Sequence, residues 1–364
     1  MNILILTGKF GMGHYSASTS IQQQIQLNHP NMGITIKDFF DYSIPLYANA
    51  MYNGFTFLVN RGRNMYNYIY RKTEDGHTDI RPIFLSYFLS KLNQLLIETK
   101  PDLIFSTLPF CSQLVSRYKQ KYGLSTPLIT CITDITGHSE WINENTNYYL
   151  VGSNSIKSTL IRKGVSEKKI LINGIPVKEE FKTKLLNEKD VTKKILIMGG
   201  GLGLLPKDLD FYQSLNQLKN VKTTVITGNN HQLHDLLYNK FENIQVIGYT
   251  NEVYKYMHES DVIISKPGGI TLFESIFSET PLLVFQPFLQ QEINNTTFIL
   301  NNQIGKVINA SSDQWVKQIE SILYDNETLS RLKYNVRKVK NNLDTSCIDK
   351  ILLTYAPQRE IFAS

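Results

Sequence analysis

Three stretches of this 364-residue chain combine residue types and spacings that can do chemistry. The first is Ser265-Lys266-Pro267-Gly268-Gly269-Ile270-Thr271-Leu272-Phe273-Glu274. An apolar run, Asp261-Val262-Ile263-Ile264, precedes it, and helical spacing follows from Leu272. Strand, glycine pair and helix in that order set bare backbone N–H groups and a positive helix end against a phosphate. Lys266 adds a cation, and Glu274 offers a carboxylate to two sugar hydroxyls. An ordinary βα turn uses the same Pro and Gly as punctuation, so the stretch alone leaves both readings open. The second is Gly199-Gly200-Gly201-Leu202-Gly203, again after an apolar run, which can cradle a diphosphate. The third is Gly8-Lys9-Phe10-Gly11-Met12-Gly13-His14. An imidazole accepts a proton near neutral pH, and a glycine turn can carry it to a cleft. A histidine at a helix start, bonded to backbone, is the competing reading. The spacing of these glycines is not that of a dinucleotide fingerprint.

The elements that must position these groups form two series. Buried-strand runs at 3–6, 33–38, 101–106, 127–133, 148–151 and 170–176 alternate with helical patterns, among them 15–27, 111–122 and 156–163. A polar loop, Asp134 to Trp141, ends the fourth run, where an α/β sheet presents functional groups. A charged stretch, 178–194, reads as a linker or exposed helix. A second series follows, with strands at 195–198, 223–227, 244–247, 262–265, 282–285 and 306–308. The pattern predicts two successive parallel α/β domains, 1–177 and 178–340. Neither a short-period repeat nor a low-complexity tract interrupts it.

Hydrophobic content of 42% with 19% charged residues is that of a globular protein with sizeable cores. No apolar run reaches the roughly 18 residues of a transmembrane helix. The chain opens on a strand and a turn rather than a charged leader, and a cytoplasmic location is expected. Three widely spaced cysteines, Cys111, Cys131 and Cys347, offer no metal-ligand pairing. The net charge of +6 lies wholly in the first half: residues 1–177 hold 17 basic and 11 acidic residues, the remainder 21 of each. A basic half points to nucleic acid, an anionic membrane surface or an anionic substrate, and no nucleic-acid-binding signature accompanies it.

Residues 39–70 sharpen that choice, because ten of these 32 are aromatic. Arg61, Arg63, Arg71, Lys72 and Arg81 lie among them or follow them. Amphipathic rings beside cations suit a lipid headgroup layer, and the segment 39–91 is expected to meet an anionic membrane surface. Helices packing on the first domain with half-buried tyrosines are the alternative. The acidic stretch 74–79 must face away from any such surface. Asp208-Leu209-Asp210 reads as solvated surface rather than a metal motif.

Seven separated motifs together resemble one family. They are Gly11-Met12-Gly13-His14-x-x-Ala17, Thr133-Asp134-x-x-x-His138-x-x-Trp141, Gly174-Ile175-Pro176 and Met198-Gly199-Gly200-Gly201-x-Gly203. Gly248-Tyr249-Thr250, Lys266-Pro267-Gly268-Gly269-x-Thr271-x-x-Glu274 and Gln291-Glu292-x-x-Asn295 complete the set. In this order the chain resembles the monogalactosyldiacylglycerol synthase and processive diacylglycerol glucosyltransferase family from residue 3 to about residue 300.

The resemblance implies a GT-B fold, two Rossmann-like domains facing across a cleft, with residues 341–364 crossing back to the first domain. It implies a metal-independent, inverting transfer of a hexose from a UDP-sugar to diacylglycerol or glycosyl-diacylglycerol, with no cofactor, by a protein peripheral at the inner face of the cell membrane. His14 becomes the expected base, with Asp134 its orienting partner or its rival. His138 and Trp141 are expected on the acceptor side. Gly13 is expected to bind the donor, with Gly200, Gly201, Gly203, Lys266, Gly268, Gly269 and Thr271 around the diphosphate, Glu274 at the ribose, Tyr249 and Thr250 at the uracil, and Gln291, Glu292 and Asn295 at the hexose. Met12, Leu204-Leu205-Pro206 and Asn294 depart from the family pattern, and the last two bear on donor identity. A polyprenyl-linked or soluble glycan acceptor, or a nucleotide-sugar-binding regulator without turnover, are the competing expectations.

Overall fold

The computed structural model describes residues 1–75, 84–183, 192–201, 203–308 and 312–356. Arg81, residues 76–79 of the acidic stretch, 184–191 of the charged linker, Leu202 and the terminal 357–364 lie outside the described residues. The chain divides into two compact units, one of residues 1–178 and 343–364, the other of 179–342.

The first unit holds six parallel strands: β1 (Asn2–Thr7), β2 (Gly33–Asp38), β3 (Leu103–Ser106), β4 (Leu128–Cys131), β5 (Tyr148–Val151) and β6 (Ile170–Ile172). Their order is β2-β1-β3-β4-β5-β6. Helices cover both faces, so the central strands are apolar at nearly every position, and alternate residues feed opposite cores. Leu4, Leu6 and Ile104 face Phe39, Phe40, Leu92 and Leu95. Ile3, Ile5 and Leu103 face Ile21, Ile25, Ile348 and Ile351. The last two lie on the helix Cys347–Tyr355, whose Asp349 accepts from Asn28 Nδ2 (3.1 Å) at the end of the helix Gly13–Asn28.

The second unit repeats the plan with β7 (Lys193–Met198), β8 (Val221–Ile226), β9 (Ile244–Ile247), β10 (Val262–Ser265), β11 (Leu282–Phe285) and β12 (Gly305–Ile308). Their order is β12-β11-β10-β7-β8-β9, again all parallel.

Each sheet has a point where successive connections leave in opposite directions: between β1 and β3, and between β7 and β10. Ligands of open α/β sheets bind outside the carboxyl ends of the strands at such a point. In the second sheet Met198 pairs with Ser265. The glycine run 199–203 and the turn from Lys266 therefore leave from neighbouring strand ends, in register. In the first sheet Leu6 pairs with Ser106, and the amide of Thr107 donates to Leu6 O (3.1 Å).

Candidate active site

In the first unit the chain leaves β1 through Gly11 and Met12, both left-handed (φ 71° and 64°), and starts the helix Gly13–Asn28. His14 is thereby set over the end of β3, where its Nδ1 lies 2.7 Å from Thr107 O and 2.8 Å from Thr133 Oγ1. A carbonyl oxygen can only accept, so Nδ1 carries the hydrogen and Nε2 keeps its lone pair. A hydroxyl chain beneath the ring, Ser18 to Thr107 to Thr7 at 2.9 Å each, ties the helix to the strand ends. Burial pulls the imidazole below its ordinary pKa, against the opposing pull of the Asp134 charge. Burial pushes the Asp134 carboxyl upward, and His14 opposes it in turn. The Trp141 indole N–H is buried without a hydrogen-bond partner of ordinary geometry, yet it eases the ionisation of Asp134.

His138 and Trp141 are both fully buried. His138 Nε2–H donates to Tyr70 O (2.9 Å), and its Nδ1 accepts from Glu140 N (3.2 Å). Glu74 lies on the helix Arg63–Asp75 and turns inward. Its carboxylate accepts from Ser139 N (2.8 Å) and from Lys163 Nζ (2.6 Å), which hold it below the usual carboxylate range although burial opposes them. Glu140 is pushed up to about 8, by burial first and then by the charges of Asp134 and Glu74. The 134–141 loop is thus pinned from the helix Arg63–Asp75. Beside it opens a polar cavity of about 1220 Å³, lined by Glu74, Glu140 and Lys163 among others but by neither His14 nor Asp134.

The aromatic stretch divides between core and surface. Phe39, Phe40, Tyr52 and Tyr70 are buried. Tyr47, Phe57 and Tyr68 are exposed on the helices Pro45–Arg61 and Arg63–Asp75, joined by Leu46, Met65, Ile69, Phe84 and Tyr87. Cations lie over three of these rings: Arg61 on Phe57, Lys72 on Tyr68 and Lys91 on Tyr87, at 5.3 to 5.9 Å. Among the described residues no helix is long and apolar enough to cross a membrane.

In the second unit the helix Gly269–Phe277 starts at Gly268, with no side chain capping its first amides. Those N–H groups point out of the sheet end, as an anion site requires. Thr271 Oγ1 folds back to 3.8 Å from where a Gly268 Cβ would stand, and Lys266 Cε lies 3.7 Å from the same point on Gly200. Lys266, Gly200, Gly268 and Thr271 are therefore brought together. Glu274 sits half-buried further along this helix, and Gly201 is exposed on its turn. Gly203 is closed in: Asn230 Nδ2 donates to its carbonyl (3.0 Å). Asn295 is buried on the helix Gln290–Asn301, and its Nδ2 donates to Pro267 O (2.8 Å), while its Oδ1 has no partner. Glu292 Oε2 accepts from Phe288 N and Leu289 N at 3.3 and 3.4 Å, and Gln291 is half-buried. Tyr249 is exposed after β9, its hydroxyl on Asn251 Oδ1 (3.1 Å), and Thr250 Oγ1 caps Glu252 N (3.1 Å). Asp208 caps the helix Leu209–Asn216 by accepting from Asp210 N. Among the described residues no group of three His, Cys, Asp or Glu could hold a metal ion.

Comparison with known proteins adds the lineage. Residues 14–177 match the family described as monogalactosyldiacylglycerol (MGDG) synthase, and residues 187–339 match glycosyl transferases group 1. The chain is a glycosyltransferase, its first part similar to MGDG synthases and its second to group 1 glycosyl transferases. Relatives of this glycosyltransferase include the processive diacylglycerol beta-glucosyltransferase of Staphylococcus carnosus, 27% identical over 96% of this chain and 92% of the relative. The protein of the same name from Staphylococcus aureus strain MRSA252 is 28% identical over 95% and 91%. Among solved structures, Acinetobacter baumannii MurG aligns with a TM-score of 0.61 over 98% of this chain and 99% of its own, at 11% identity. The glycosyltransferase has the GT-B fold, built from two Rossmann-like parallel units.

Thr107, Tyr70 and Glu74 are the residues of this neighbourhood that motif reading missed. Thr107 carries a weak signal, a hydroxyl residue directly after a buried strand. Nothing in the sequence distinguishes Tyr70 from the tyrosines around it, or marks Glu74 as turned inward.

Proposed function

We propose that this glycosyltransferase moves a hexose from a UDP-sugar to a hydroxyl of diacylglycerol or glycosyl-diacylglycerol, with inversion at the anomeric carbon and without a metal. The names of its relatives supply the lipid and make glucose the first hexose to try. The observation that carries the reading is the anchoring of His14: with Nδ1–H committed to Thr107 O, Nε2 is free to take a proton.

In this reading the acceptor oxygen bonds to C1 of the hexose while the C1–O bond to the diphosphate breaks. The acceptor proton passes to His14 Nε2, and the electron pair of the broken bond leaves with UDP. Asp134 is assigned the stabilisation of the imidazolium, since its charge favours the protonated ring. Charge builds on the departing diphosphate, where preorganised donors act most strongly. Lys266, Thr271 and the amides at Gly268, Gly269, Gly200, Gly201 and Gly203 are assigned to it, and Gly13 to the edge of the donor site. Glu274 takes the ribose hydroxyls, and Tyr249 and Thr250 border the uracil. Gln291 and Glu292 read the hexose, with Asn295 Oδ1, while Asn295 Nδ2 steadies the Pro267 turn. His138 and Trp141 shape the acceptor side from beneath. The exposed aromatic–cationic face of the helices Pro45–Arg61 and Arg63–Asp75 seats the protein on an anionic membrane surface at the inner face of the cell membrane.

The test is incubation of the purified chain with a panel of labelled UDP-hexoses and diacylglycerol vesicles, with products read by mass. Glycosyl-diacylglycerol is expected. Failure to transfer any UDP-hexose to any lipid sinks the proposal. Transfer only to a soluble glycan would reassign the acceptor, and UDP-glucose binding without turnover would make the chain a regulator.

A further inference from the structure

The helix Arg63–Asp75 has two faces with different partners. Outward it exposes Met65, Tyr68 and Ile69. Inward, Tyr70, Thr73 and Glu74 hold the 134–141 loop: the Tyr70 carbonyl takes the His138 Nε2–H, and the two rings lie 4.3 Å apart. Thr73 Oγ1 donates to Tyr70 O (3.0 Å), and Glu74 accepts from Ser139 and Lys163. One polar group on this face stands apart. The Tyr70 hydroxyl is buried, with the residue only 8% exposed, and no hydrogen bond of ordinary geometry reaches it. Thr136 eases its ionisation from alongside, while the charges of Asp134 and Glu140 oppose it. A buried phenol O–H left unmet costs free energy, and native folds keep few such groups without a use.

We propose that the Tyr70 hydroxyl contacts the acceptor substrate, donating its hydrogen to a glycerol or sugar oxygen. The inference rests on the glycolipid-forming reading above and adds a substrate contact to it. It also gives the helix two roles, because the element whose outer face meets lipid delivers, two residues beyond Tyr68, a polar contact for the lipid's hydroxyl end.

The test is Tyr70→Phe in the full chain, which deletes one oxygen and leaves the ring and the backbone bond to His138 in place. The melting temperature is expected to stay or rise, because an unmet buried hydroxyl is removed. UDP affinity should be unchanged, and kcat/KM for the lipid acceptor should fall about tenfold, the value of one substrate hydrogen bond. Diacylglycerol and glycosyl-diacylglycerol are assayed separately. A fall with both assigns the contact to the attacking hydroxyl, and a fall with only the second assigns it to the acceptor sugar. Wild-type acceptor kinetics in Tyr70→Phe overturn the inference alone. A drop of several degrees in melting temperature overturns it too, since the hydroxyl would then be holding the fold. If the unmodified chain makes no glycolipid, the functional reading falls and takes the contact with it.

Discussion

The second glycine run offers a graded test of the proposed diphosphate cradle, because Gly200, Gly201 and Gly203 differ in what a methyl group would meet. At Gly201 an added Cβ has nothing within 4 Å. At Gly200 it would make only ordinary contact with Lys266 Cε (3.7 Å), but φ is 67°, a left-handed backbone. At Gly203 φ is 59°, and the new Cβ would stand 1.9 Å from Thr227 O and 2.7 Å from Asn230 Cβ. The Thr227 oxygen belongs to backbone that already accepts from Asn230 N, and the Gly203 carbonyl is held by Asn230 Nδ2. No side-chain rotation relieves the overlap, so the turn must open. Gly201→Ala should lie within about 0.5 kcal/mol of the parent. Gly200→Ala should cost about 1–2 kcal/mol, the left-handed penalty of a residue with a Cβ. Gly203→Ala adds to that penalty the loss of two or so hydrogen bonds at about 1 kcal/mol each, in all roughly 3–4 kcal/mol. In a unit of this size that is a fall of about 10 °C in melting temperature. Calorimetry with and without UDP reads both consequences: the melt of the second unit, and a UDP affinity reduced at least about tenfold as the amides leave their positions. Equal stability losses at Gly201 and Gly203, or a Gly203→Ala protein that binds UDP normally, would refute the cradle.

The remaining expectations divide the labour between the units. His14→Ala should lower kcat by about 10²–10⁴, the usual contribution of a general base, with UDP affinity near normal in titration calorimetry. Glu274→Ala should weaken UDP binding about 10- to 100-fold, as expected for hydrogen bonds to a charged group, with a smaller effect on kcat. Equal loss of UDP affinity in both variants would contradict the assignment. The base must be neutral to act, and burial holds His14 below its ordinary value of 6.5. The rate should therefore be level at neutral pH and fall only as the pH drops below 6.5. Asp134→Asn removes the charge that raises the imidazole pKa, so the acid limb of the kcat/KM profile should move to still lower pH while kcat falls. Replacing Phe57 and Tyr68 together by Ser should weaken sedimentation with anionic vesicles, leaving UDP binding intact; unchanged vesicle binding would remove these rings from the membrane face.

Much of the fold is legible in the chain itself. Parallel strands covered on both faces must be largely apolar throughout, and runs such as Ile3 to Leu6 and Val262 to Ile264 announce them without a partner in view. The strand–glycine–helix order around Lys266 likewise carries its own mechanism. Helix starts were less legible: helical periodicity from Leu272 misses the first turn at Gly269, because glycine contributes no apolar signal to it. The aromatic stretch showed the limit most clearly. Composition cannot tell Tyr68, exposed under Lys72, from Tyr70, buried on His138, since two residues of helix rotate a side chain to the opposite face.

The sequence by itself thus determined the two parallel α/β units, the glycine turns with the histidine beside the first of them, and the family that their order resembles. These depend on local propensity, hydrophobic period and residue chemistry, all of which act over a few neighbours. Only the tertiary structure decided that the turns at 199–203 and 266–268 leave from adjacent strands, that Thr107 selects the tautomer of His14, and that Glu74 and Tyr70 face inward. Those facts depend on strand order and on backbone groups brought together across gaps of roughly 65 to 95 residues, as in the pairs His14–Thr107 and Glu74–Ser139. A carbonyl that orients an imidazole is the same in every residue, so no side-chain pattern records it.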